Sequence, residues 1–158
     1  MGLDMYLSKR TYVKNWDYME ASERHSVTVT GPSASEIRPE RISYIEEEVA
    51  YWRKANAIHQ WFVDHCQNGV DECQQTYVSC EQLTELATLC TELTALRKTN
   101  PSEADARAAK ELPPQGGFFF GSTDIDEYYW EDVRETAIHL TALVNESGGG
   151  GFYYQSSW

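Results

Sequence analysis

The sequence has no CxxC pair. Cys66, Cys73, Cys80 and Cys90 stand well apart, which argues against a zinc site even with His65 beside Cys66, and in favour of reduced thiols. No run approaches 18 consecutive apolar residues, and the start, Met1-Gly2-Leu3-Asp4-Met5, lacks a basic region followed by an apolar one. Neither a membrane span nor a secretory leader is expected, and a cytoplasmic location follows. Positive charge is scarce: 13 Lys and Arg face 25 Asp and Glu, for a formal net charge of −12. That balance opposes binding to DNA or RNA and suits docking onto a basic protein surface. No nucleophile with its base, metal-ligand set or phosphate loop stands out, so no cofactor, metal or catalytic residue is assigned.

Aromatic residues are what the chain has in excess, with ten Tyr and five Trp among 158 residues. Tyr and Trp keep a polar handle when they pack, so a surplus of both favours a binding surface or a wet pocket. The length fits one domain covering residues 1–158, able to bury on the order of two-thirds of its unfolded surface.

The densest stretch is Tyr51-Trp52-Arg53-Lys54-Ala55-Asn56-Ala57-Ile58-His59-Gln60-Trp61-Phe62. At about 100° per residue its apolar side chains form a wide arc, which predicts a core-facing helix over residues 46–65. Glu48, Asn56 and His59 project into that arc. Buried polar groups need partners, so these three either form a hydrogen-bonded core network or line a ligand pocket.

Ahead of this helix, Leu3, Met5 and Leu7 alternate with Asp4, Tyr6 and Ser8, which predicts a half-buried strand extending to Val13. Val27-Thr28-Val29-Thr30, ended by Gly31-Pro32, reads as its hairpin partner. Asn68-Gly69 closes the helix, and residues 71–77 read as a bridge. Ser79 and Gln82 have the spacing of a capping box before a scaffold helix carrying Leu83, Leu86, Leu89, Cys90, Leu93 and Leu96 on one side. Residues 98–114, Ala-rich, entered through Asn100-Pro101 and left at Pro113-Pro114, read as an exposed insertion, either a short exposed helix or a mobile segment.

Gly117-Phe118-Phe119-Phe120-Gly121-Ser122 reads as a short buried strand with glycines at its ends for close approach. Asp124 and Asp126 then cap a helix with Tyr129, Val133, Ala137, Leu140 and Val144 on one face and Tyr128, Glu135 and His139 on the other. These acids suit a ribose hydroxyl or a cationic group better than a phosphate. Gly148 to Gly151 is a spacer, and residues 152–158 alternate as an uncharged aromatic strand that completes the sheet or adds to a neighbouring chain, making a homo-oligomer. The expected fold is α+β, a small, mainly antiparallel sheet packed against about three principal helices.

Met1-Gly2-Leu3-Asp4-Met5-Tyr6-Leu7, Tyr51-Trp52-Arg53-Lys54-Ala55-Asn56 with Ile58-His59, Gly117-Phe118-Phe119-Phe120-Gly121-Ser122 and Asp126-Glu127-Tyr128-Tyr129 resemble a family of small proteins encoded by tailed phages and prophages. The resemblance covers nearly the whole chain, apart from the Ala-rich stretch before Pro113. It implies a phage setting in a bacterial cytoplasm and carries no activity with it.

Three readings follow. In the first, the protein sequesters a small nucleotide-like ligand, such as a defence signal, without catalysis. Trp52 or Tyr128 stacks on a base, Arg53 pairs with a phosphate, and Glu48, Asn56, His59, Ser122 and Asp126 add polar contacts beside Phe119. In the second, an acidic inhibitor covers a host protein. In the third, a hydrolase uses His59 as a base oriented by Glu48.

Overall fold

Strand β1 (Asp4–Tyr12) is the centre of the sheet because its alternation sends Leu3, Met5 and Leu7 inward, all fully buried. The computed structural model describes residues 2–146, 148 and 150–158. β1 pairs with β2 (Tyr44–Arg53) on one side and with β4 (Gly151–Ser157) on the other, and β4 pairs with β3 (Thr76–Val78). Every pairing is antiparallel, and the order is β2-β1-β4-β3. Among the described residues, four helices complete the α+β fold: α1 (Asn56–Cys66), α2 (Cys80–Thr99), α3 (Pro101–Glu111) and α4 (Glu127–Glu146). Their apolar faces meet Met5, Leu7, Trp52, Phe152 and Tyr154 of the sheet in one core.

Several expectations hold. The capping box is formed: Ser79 Oγ accepts from the Gln82 N–H at 3.1 Å, and Gln82 Oε1 accepts from the Ser79 N–H at 2.9 Å. Leu83, Leu86, Cys90 and Leu93 of α2 are buried, as are Tyr129, Val133, Ala137 and Leu140 of α4. The terminal aromatic strand closes the sheet within the same chain. Of the spacer before it, Gly149 lies outside the described residues. Gly150 has φ +125°, and a Cβ there would stand 2.9 Å from the Arg10 carbonyl oxygen.

The single helix expected over residues 46–65 is instead a strand and a shorter helix. Tyr44, Ile45, Val49, Tyr51 and Trp52 have branched or aromatic side chains that suit a pleated surface, and β1 supplies the ladder. Lys54, with φ +59°, turns the chain out of the strand so that α1 can start two residues later. Val27-Thr28-Val29-Thr30 is not a strand. The β1 partner comes after a long loop of three 3-10 turns, and that loop buries few side chains. The Phe119 segment is also not a strand but a turn, in which Phe118 is 95% exposed, Phe119 is half-buried and only Phe120 enters the core. The Phe120 N–H bonds the Gly117 carbonyl at 3.2 Å, and a Cβ on Gly117 would lie 2.7 Å from the Phe120 ring.

Residues 98–114 hold the short helix that is one of the two forms expected of them, packed on α2 rather than loose. Thr99 ends α2, Asn100 caps α3 by accepting from the Glu103 N–H, and Ala104, Ala108 and Leu112 are buried. Alanines on the inner face let α3 lie close against α2 while its outer face stays exposed. At the end of the stretch read as a bridge, and one residue beyond it, residues 76–78 form β3, too short a run to stand out by its period. Among the described residues, no helix is long and apolar enough to cross a membrane.

Candidate functional site

A cleft of about 330 Å³ opens where the β2–α1 corner meets the loop before α4. Arg53, Lys54 and the first turn of α1 come from the corner, while Ser122, Asp124, Asp126, Tyr128, Glu131 and Asp132 come from the loop and the first turns of α4. Its size lies at the lower end of the range for small-molecule sites, roughly 300–1,000 Å³.

The corner carries the positive groups of the cleft. Ala55 precedes α1 and has no side chain to cap it, and the first turn carries no acid. The Asn56 N–H turns back to the Lys54 carbonyl at 2.8 Å, and the first intrahelical bond runs from the His59 N–H to the Ala55 carbonyl at 3.0 Å. The N–H groups of Ala57 and Ile58 thus have no acceptor among the described residues, and both residues line the cleft. Unsatisfied N–H groups and the positive end of the helix dipole favour a negative ligand group. Arg53 is exposed and has a long contact with Asp4, 3.9 Å. Lys54 sits in the left-handed region, which a residue with a Cβ adopts at a cost of roughly 1–2 kcal/mol. A Cβ on Gly121 (φ +88°) would stand 3.4 Å from Lys54 Cβ, so glycine there lets the opposite loop come close.

The other wall is acidic and partly committed. Asp126 Oδ1 accepts from the Tyr129 N–H at 3.0 Å, the cap expected of it. Ser122 Oγ accepts from the Asp124 N–H at 3.1 Å. Tyr128, 78% exposed, leaves its ring face free at the rim. Asp132 is half-buried among Asp126, Glu131 and Glu135, and burial first, with these neighbours adding, raises its carboxyl to about 7 from an ordinary 3.8.

A carboxyl raised this way binds its proton more readily folded than unfolded. Its neutral form is accommodated at low pH, and stability falls as pH rises from about 4 through about 7. Asp132→Asn is therefore expected to match the parent only at or below about pH 4 and to exceed it at pH 8. The gain is on the order of 1–2 kcal/mol once solvent screening at this half-exposed position is counted. Urea midpoints at the two pH values check this, and a gain of equal size at both would refute it.

The structure brings five predicted site residues, Arg53, Asn56, Ser122, Asp126 and Tyr128, to this cleft and places four elsewhere. Asn56 is buried and its amide is committed: Nδ2 donates to the carbonyls of Phe120 at 2.9 Å and Ser122 at 2.8 Å, and Oδ1 accepts from the Gln115 N–H at 3.0 Å. It clamps the glycine-rich loop and has little left for a ligand. Trp52 faces the core with its Nε1–H on Thr136 Oγ1 at 2.9 Å, so it cannot stack on a base. Phe119 offers its backbone carbonyl to the Leu3 N–H at 3.1 Å. Glu48 lies in a different groove and does not approach His59.

His59 is 0% exposed, with Nδ1 2.7 Å from the Tyr154 hydroxyl and Nε2 2.9 Å from Asp71 Oδ2. A carboxylate only accepts, which assigns the ring proton to Nε2 and leaves Nδ1 to accept the Tyr154 O–H. Trp158 Nε1–H adds a 3.2 Å bond to Asp71. This is the core network of the two alternatives for His59, joining α1 to the carboxyl-terminal strand.

Lys54 and Asp132 are functional candidates that the sequence reading passed over. Asp132 was accessible to it, since it stands one helical turn after Tyr128 on the same face. Lys54 was not, because a continuous helix hid the corner. Among the described residues, no three His, Cys, Asp or Glu side chains are grouped to hold a metal ion. Burial raises the thiols of Cys66 and Cys90 to about 12, which makes both poor nucleophiles. Comparison with protein-family models, with curated proteins and with solved structures finds no match to this chain.

Proposed function

We propose that the protein binds a small, phosphate-bearing, nucleotide-like ligand and holds it without catalysis. The observation that carries this reading is the uncapped start of α1, whose Ala57 and Ile58 N–H groups open into a cleft beside Arg53 and Lys54. One phosphate fits there. The facing carboxyls of Asp126 and Asp132 suit ribose hydroxyls or an amino group, and they disfavour a chain of several phosphates. The exposed Tyr128 ring offers a stacking face for a base. In the phage setting that the motifs suggest, such a protein withdraws a host signal by occupancy alone.

The test is thermal denaturation with nucleoside monophosphates and with a cyclic phosphodiester, whose single charge does not titrate near neutrality. A ligand at a hundred times its Kd stabilises by about 2.7 kcal/mol. For a chain of this length that is a rise of roughly 5–10 °C. Arg53→Ala should weaken binding about tenfold or more. Lys54→Gly has a two-signed signature: it relieves the left-handed backbone, so the free protein melts higher by a few degrees, while affinity drops with the lost charge. Heating the complex should release the ligand chemically unchanged. Absence of any nucleotide shift, together with stoichiometric capture of one host protein, would replace this reading with the acidic inhibitor.

A further inference from the structure

A second groove of about 460 Å³ runs between the free edge of β2 and α4. Val49 and Tyr51 line it from the strand, Ala142 and Leu143 from the helix, and Glu48 and Glu146 add carboxylates. The Lys54 N–H donates to the Leu3 carbonyl at 2.8 Å, so Lys54 faces β1. By the alternation of an antiparallel ladder, Trp52 and Ala50 face β1 too, and Arg53 and Tyr51 turn their N–H and C=O groups outward; the register then shifts opposite Leu7 and Ser8, where Val49 is the extra residue. Nothing among the described residues pairs with that edge. It is a strand template beside a helix, with an apolar floor.

We propose that this groove takes an extended, basic peptide segment of a partner protein, added as a strand alongside β2. Main-chain bonds to Tyr51, on the regular side of the bulge, supply the register. Small apolar side chains of the segment meet Ala142 and Leu143, and basic ones meet Glu48 and Glu146, neither of which has an ion pair among the described residues. Glu46 is already held by Arg10 at 2.6 Å, whereas Glu47 on the same edge extends the negative field. A second copy of this chain is the poorer occupant, because two molecules of formal charge −12 repel. The groove spans about four strand residues, roughly 13 Å at 3.3 Å per residue, which sets the length of the recognised segment.

The test uses a fluorescent hexapeptide of alternating Lys and Val, followed by anisotropy and by hydrogen exchange of the full-length protein. Binding should slow exchange of the Tyr51 amide and leave the cleft residues unaffected. A Glu/Val peptide should not bind, and a Lys/Val peptide N-methylated at alternate residues should lose at least tenfold in affinity. E48K combined with E146K should also cost tenfold or more. Glu48→Gln alone, at an exposed strand position, should give a smaller loss in the same direction. Unchanged exchange at Tyr51, equal binding of the N-methylated peptide, or a dimer of the free chain that protects this amide would each overturn the proposal. These outcomes do not depend on Arg53 or Lys54, so they are separable from the cleft's ligand.

Discussion

Asn56→Ala should lower the unfolding free energy by about 3 kcal/mol, a fall in melting temperature of roughly 6–12 °C. The side chain replaces what a strand would have given the loop: it satisfies two carbonyls, of Phe120 and Ser122, and one N–H, of Gln115. Each net bond is worth roughly 1 kcal/mol, and truncation leaves loop groups short of partners in a partly buried setting. Asn56→Asp should be at least as damaging. It keeps the acceptor for Gln115 but turns a carboxylate oxygen toward two carbonyl oxygens. The loop carries Gly121 and Ser122, which border the cleft, so affinity for any cleft ligand should drop as well. Calorimetry on the parent and both variants decides the matter, and a loss under about 1 kcal/mol for Asn56→Ala would show that the loop stands without its clamp.

The same residue shows how far the sequence could be read. Asn56, at the start of the apolar α1, had to find partners, and that was legible from chemistry alone. Which partners it found was not, because they are backbone groups about 60 residues away in a loop whose three phenylalanines look like a strand. Phe118 is almost fully exposed and Phe120 is buried two residues later, a change of environment that composition cannot signal. The strand and helix split at Lys54 was hidden for a related reason. Glu46, Glu47 and Glu48 favour a helix locally, and the long-range ladder with β1 overrides that preference. Where local and tertiary demands agreed, as at the Ser79 capping box, the Asp126 cap and the alternation of β1 and β4, the reading and the structure coincide. The candidate site was half visible: Arg53, Ser122, Asp126 and Tyr128 were named and do meet, while the exposed start of α1 depends on a boundary that no residue type announced.

His59→Ala should cost about 3–4 kcal/mol of stability and leave ligand affinity per folded molecule unchanged. The ring is enclosed, edge-on to Phe120 at 5.2 Å between centroids, with Tyr154 stacked on Phe62 at 4.0 Å beside it. Removing the imidazole opens a cavity, and it strips the Tyr154 hydroxyl and one Asp71 oxygen of their partner. Burial, with Asp71 next, already holds the Tyr154 phenol well above its ordinary range, so it has no route to ionise in compensation. Tyr154→Phe removes only the donor and should cost about 1–2 kcal/mol. The double variant should cost less than the sum of the two, with a coupling of about 0.5–3 kcal/mol, because both deletions break the same bond. His59 does not line the cleft, and both of its nitrogens are occupied, so it is not available as the base of a hydrolase. Titrating ligand into each variant at a temperature where it remains folded separates the roles. A His59→Ala protein that keeps its melting temperature but loses binding would return the histidine to the site and undo its assignment to the core.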